Sequence, residues 1–171
     1  YAGTLYEADR LAQAEQLLQR PRTGAFSAQC IDRVAHRVLG HQQPEPAQRL
    51  GKTAQAIAAA ALLHRLGKVN RVLVVVPASL KTEWEEQIRL FTDLSYRLVL
   101  GERSARKAAY EQPAFFTLAN YEQILRDAAL VNTVLKPDAV ILDEAQRIKN
   151  WDTQTAQAVR KLQSRYAFVL T

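Results

Sequence analysis

From residue 51 onward, short apolar runs alternate with amphipathic stretches. Residues 71–77, RVLVVVP, form a continuous β-branched run. A run with no polar alternation predicts a strand buried on both faces, as in a parallel sheet. YRLVLG (96–101), AFFTLA (114–119), DAVILDE (138–144) and YAFVLT (166–171) predict further strands. The intervening segments 79–91, 102–111, 121–130 and 153–163 read as helices, with Ser79 as the N-cap of the first. An Ala-rich helix over 51–67, stopped by Gly67, comes before the first strand. Strands alternating with helices imply βαβ units, right-handed crossovers and a mainly parallel sheet flanked by helices. The fold class is therefore α/β.

The chain before residue 51 reads differently. Leu5, Leu11, Ala14, Leu17 and Leu18 are spaced for an amphipathic helix over 4–19. A break follows, then a second helix over 27–40 that ends at Gly40. HQQPEPAQR, with two prolines, reads as a loop. The expected division is an N-terminal helical segment, 1–40, and an α/β unit, 41–171.

Composition narrows the picture only a little. A chain of 171 residues suits one domain and can bury a core without disulfides or metals. Cys30 is alone, so no disulfide framework or cysteine-based zinc cluster can form. No apolar run approaches the ~20 residues of a membrane span. His36, His41 and His64 show no metal-ligand spacing and are expected at the surface or as satisfied core residues. The formal charge of +6 and pI of about 9.7 permit a polyanionic partner without requiring one. The sequence starts at Tyr1, has no Met and stops just after a strand-like run. It is expected to be a piece of a longer protein.

Two motifs carry chemistry. VILDEAQRIKN, residues 140–150, ends an apolar strand with Asp143 and Glu144. Strands often end in charge because they end at the surface. A strand-end aspartate can also hold magnesium, and its neighbour can polarise a water. GKT, residues 51–53, opens a helix. Free N–H groups and the helix dipole favour a phosphate there, Lys52 can reach terminal phosphates, and Thr53 can ligate magnesium. Alone, GKT is weak; a stray lysine at a helix start would look the same. Nucleotide hydrolysis needs both halves, and here both lie on suitable elements in the right order.

LGKT, VLVVVPASLKTEWEEQI, FTLANYEQI and VILDEAQRIKN together resemble successive motifs of the Swi/Snf-like ATPases of helicase superfamily II. The resemblance covers about residues 50–171 and implies the first of two RecA-like lobes. Members hydrolyse ATP with Mg²⁺ between the lobes and translocate along double-stranded DNA without separating its strands. The resemblance implies Gly51, Lys52 and Thr53 as the phosphate loop, and Asp143 and Glu144 as the magnesium and water-activating pair. It implies Gln146 as the residue coupling nucleotide to the rest of the machine. Ser79 and Lys81, then Thr117, Asn120 and Tyr121, match motifs along the nucleic-acid path. The bland readings are Ser79 as a helix cap, Lys81 as a solvated lysine and Trp84 as packing.

The match has departures. The family loop carries a preceding strand and an earlier glycine; Pro46 stands where that glycine would fall. The adenine-contacting glutamine motif is not evident, with Gln29 its weak candidate. Either residues are skipped before Leu50, the favoured reading, or the loop has degenerated. Three functions follow in order: an ATP-driven DNA translocase partnered by duplex DNA and a second RecA-like lobe, a non-hydrolysing scaffold lobe, and an ATPase acting on RNA or polymerase-bound nucleic acid. DEAQRIKN argues against the last. A bacterial, cytoplasmic enzyme at the nucleoid is the expected setting.

Overall fold

A computed structural model describes residues 51–112, 114–148 and 153–170. The two helices expected within 1–40, the loop before residue 50, Gln29 and Pro46 lie outside the described residues. The elements are α1 (Lys52–Arg65), β1 (Val72–Val76), a 3₁₀ turn (Ala78–Leu80), α2 (Lys81–Phe91), β2 (Tyr96–Leu98) and α3 (Arg103–Glu111). Then come β3 (Phe116–Asn120), α4 (Tyr121–Leu130) with a π-helical turn (Val131–Leu135), β4 (Ala139–Leu142), a 3₁₀ turn (Ala145–Ile148), α5 (Gln154–Arg160) and β5 (Tyr166–Val169). No described helix is long and apolar enough to cross a membrane.

The five described strands run parallel in the order β2-β3-β1-β4-β5. The α/β class expected from the alternation is the one observed. β1 lies at the centre and every one of its residues is buried. Its even positions, Val72, Val74 and Val76, pack with Ala56, Ile57, Ala60 and Leu63 of α1 and with Trp84 and Ile88 of α2. Its odd positions, Leu73 and Val75, pack with Tyr110 of α3, Ile124 of α4 and Val159 of α5. The pleat thus divides an unbroken Val/Leu run between two apolar layers, which explains why the strand shows no polar alternation.

The topology creates a crevice. From β1 the chain leaves through α2 on one face; from β4 it leaves through α5 on the other. β1 and β4 are neighbours in the sheet. Adjacent parallel strands whose connections depart to opposite faces open a cleft at their carboxyl ends, where α/β proteins bind ligands.

One sequence expectation changes here. Ser79 does not cap the helix that follows β1. A 3₁₀ turn over Ala78–Leu80 intervenes, α2 starts at Lys81, and its N-cap, Leu80, makes no side-chain cap. Ser79 is left exposed. Pro77, with φ of −54° and ψ of 144°, is the extended residue from which the 3₁₀ turn starts. Gly67 does terminate the first helix, with φ of 67°.

Candidate nucleotide site at the carboxyl ends of β1 and β4

α1 reaches this cleft by simple geometry. It packs on the sheet, and only residues 66–71 join it to the start of β1. A helix of 14 residues is about 21 Å long, a little more than the roughly 17 Å of a five-residue strand. Its N-terminus therefore lies at the carboxyl edge of the sheet. There the helix has no side-chain cap and no acidic residue in its first turn. The orphan N–H groups and the positive dipole end of such a terminus attract an anion. Lys52 is exposed and Thr53 half-buried. Gly51 has an ordinary φ of −58°, and a Cβ there would meet nothing within 4 Å. Among the described residues, nothing demands glycine at this position.

Asp143 and Glu144 follow β4 directly. The Asp143 N–H donates to Val75 O at 2.9 Å, anchoring the end of β4 to the end of β1. Its carboxylate is buried. Oδ2 accepts from the indole Nε1–H of Trp84 at 2.7 Å, and Oδ1 accepts from the Glu144 N–H at 2.9 Å. Its carbonyl accepts from the Tyr121 hydroxyl at 2.6 Å. Glu144 has φ of 51°, a left-handed conformation that a non-glycine residue adopts at a cost of about 1–3 kcal/mol. The neighbouring Ala145 N–H donates to Leu170 O at 3.0 Å, which helps hold this turn. Gln146 Nε2 donates to Glu144 Oε2, while Gln146 Oε1 is buried without a partner among the described residues.

These donors fit magnesium. The ion keeps most of its waters and takes one or two carboxylates together with phosphate oxygens. Asp143 has about four lone-pair positions and uses two, which leaves two for a metal or its water. Among the described residues, no group of three or more His, Cys, Asp or Glu could hold a metal alone. A site completed by nucleotide phosphates needs no such group.

The residues expected on the nucleic-acid path divide sharply. Ser79 is exposed, and Asn120 is half-buried at the N-cap of α4, where its side chain accepts from the Gln123 N–H at 2.8 Å. The other three, expected as phosphate contacts, are buried in this fold. Thr117 sits mid-strand in β3, its hydroxyl enclosed and unpartnered. The Tyr121 hydroxyl is spent on Asp143. Lys81 is neither solvated nor free: its ammonium donates to Val99 O at 2.7 Å and to Gln123 Oε1 at 2.8 Å. Burial lowers its pKa to about 8 against the smaller opposing pull of Glu122. His64 is a satisfied residue, its Nδ1 2.9 Å from Val69 O.

Sequence reasoning missed several partners. Gln123 closes a capping box with Asn120 and also donates to Val99 O at 3.0 Å. The spacing N-x-x-Q before an apolar run was the available signal. In the sequence Trp84 looks like packing, and nothing there announces a bond to a residue 59 positions away. Arg106 and Asp127 form a buried bidentate pair at 2.5 and 2.9 Å, joined by the Tyr110 hydroxyl at 3.2 Å.

A family model described as the SNF2-related domain matches residues 48–171. The chain belongs to that family. It is a first lobe of the Swi/Snf-like, superfamily II type. This SNF2-related domain is 28% identical over 129 residues to the ISWI chromatin-remodeling complex ATPase ISW1 of Saccharomyces cerevisiae, covering 71% of the chain and 11% of that protein. It is 32% identical over 127 residues to the putative ATP-dependent helicase/translocase YwqA of Bacillus subtilis, covering 71% and 14%. Among solved structures, it resembles the Sulfolobus solfataricus SWI2/SNF2 ATPase core in complex with dsDNA, with a TM-score of 0.63 and 32% identity, covering 71% and 25%. The SNF2-related domain thus spans only a small part of each of these relatives.

Proposed function

We propose that this domain is the ATP-binding first lobe of an ATP-driven translocase on double-stranded DNA. The observation that carries the reading is Glu144. A glutamate held in a strained left-handed turn, next to a buried aspartate and gripped by a glutamine, lies at the sheet's ligand-binding edge. Strain of this kind concentrates at functional sites.

Each residue has a distinct task. Lys52 and the first-turn N–H groups of α1 hold the terminal phosphates of ATP. Thr53 and Asp143 hold Mg²⁺, which neutralises charge on the transferring phosphoryl group. Glu144 orients the attacking water. Gln146 fixes Glu144 and keeps a buried acceptor for a water or for a second RecA-like lobe. Duplex DNA meets the exposed turn at Ser79 and the Asn120 end of β3, through phosphate contacts that position without reading sequence. The solved Sulfolobus ATPase core in complex with dsDNA supports duplex DNA as the partner.

The test separates binding from chemistry. In the intact protein, Lys52→Ala weakens ATP binding. Glu144→Gln preserves binding and lowers DNA-stimulated turnover by about 10²–10⁴, the usual contribution of a positioned general base. Full turnover in Glu144→Gln refutes the reading. The isolated lobe turns over far more slowly than the intact protein, because the phosphate-stabilising arginines expected from a second lobe are worth about 10³–10⁵ in rate.

A further inference from the structure

We propose that Trp84 is a positioning residue for the metal-binding carboxylate, and that it ties the α2 segment mechanically to the magnesium site. The inference rests on the reading of Asp143 as the magnesium residue. Trp84 is 1% exposed, and its indole ring fills the layer between α1, α2 and the sheet. A tryptophan that only packed would leave its N–H unpaired or give it to any nearby carbonyl. This N–H instead donates to Asp143 Oδ2 at 2.7 Å, a charge-assisted bond of ideal length.

The bond constrains the carboxylate. The Glu144 N–H holds Oδ1 and the indole holds Oδ2, so the plane of the carboxylate is fixed by two donors from different elements. The two remaining lone-pair positions then face a definite direction. Groups that fix a metal ligand in this way act on metal affinity without touching the metal. Trp84 is three residues beyond Lys81, which opens α2, and α2 follows the exposed turn carrying Ser79. A load on that turn is transmitted along one helical turn to the ligand of the metal.

Mn²⁺ affinity of the intact, ADP-saturated protein, measured by electron paramagnetic resonance, tests this. Trp84 is replaced by 3-benzothienylalanine, which keeps the ring's shape and lacks the N–H; Asp143→Asn serves as the reference. Mn²⁺ affinity about tenfold weaker in the isostere, with metal-free ADP affinity unchanged, is the expected result. Unchanged Mn²⁺ affinity in the isostere, alongside weakened affinity in Asp143→Asn, overturns the role of Trp84 alone. Unchanged affinity in Asp143→Asn overturns the magnesium reading of Asp143, and the inference with it. In the unsubstituted protein the Trp84 indole proton, assigned by Trp84→Phe, shifts in the NMR spectrum when Mg²⁺ is added to the ADP complex. A resonance that does not move also overturns the proposal, independently of how well the isostere folds.

Discussion

The Tyr121 hydroxyl donates to the backbone carbonyl of Asp143 at 2.6 Å, joining the first residue of α4 to the residue that follows β4. Tyr121 is buried at this junction. Tyr121→Phe keeps the ring and leaves a carbonyl without that donor. The expected loss of stability is about 1–3 kcal/mol, the range for stranding a buried polar group. Urea unfolding should show a lower midpoint with an unchanged m-value. An unchanged midpoint would mean the hydroxyl does not brace the turn.

Glu144→Gly should act in opposite directions on stability and activity. Glycine adopts φ of 51° without steric strain, so the folded protein gains about 1 kcal/mol. Hydrolysis should be lost with the carboxylate. Thermal unfolding and ATP turnover on the same preparation check both signs. A destabilised Glu144→Gly would show that the bond from Gln146 outweighs the backbone strain.

The Arg106–Asp127 pair should be the most sensitive polar contact outside the cleft. Both side chains are buried, at 9% and 1% exposure. Asp127→Ala leaves the guanidinium buried and uncompensated, at a cost of about 3–5 kcal/mol. Removing both partners, as Arg106→Leu with Asp127→Leu, should cost much less than the sum of the two single changes. Denaturant unfolding of the double-mutant cycle reads this coupling.

Lys81 should give stability an unusual alkaline dependence. Its folded pKa of about 8 lies below the ordinary 10.5, so between these values the folded protein binds fewer protons than the unfolded chain. Stability from this residue is therefore lowest below about pH 8, where a charged amine must be buried, and it rises toward pH 10.5. A neutral amine still has two N–H donors for Val99 O and Gln123 Oε1. Relative to Lys81→Met, the unsubstituted protein should gain stability between about pH 7 and about pH 9.5. A buried, engaged lysine also neutralises no phosphate. Lys81→Met should leave the salt slope of duplex binding unchanged, where a true phosphate contact would remove about 0.9 from it. A reduced slope would return Lys81 to the DNA path.

Much of this protein was legible from pattern alone. The Val-rich run at 71–77 and its successors located the five described strands, most directly the central one, because a strand buried on both faces is apolar throughout. GKT and DE marked the two halves of the proposed nucleotide site, because phosphate and magnesium chemistry restricts the residue types available. These are local facts, written in composition and spacing. Strand order was not local. That β1 and β4 are neighbours, with connections leaving to opposite faces, decides where the crevice opens. The fates of individual polar side chains were not local either. Lys81, Thr117 and Tyr121 look like surface groups in sequence and are enclosed in the fold, and Trp84 looks like packing and holds Asp143. A polar group's role depends on which distant atom meets it once water is excluded. Periodicity reports which face of an element is buried, and only tertiary packing decides what it is buried against.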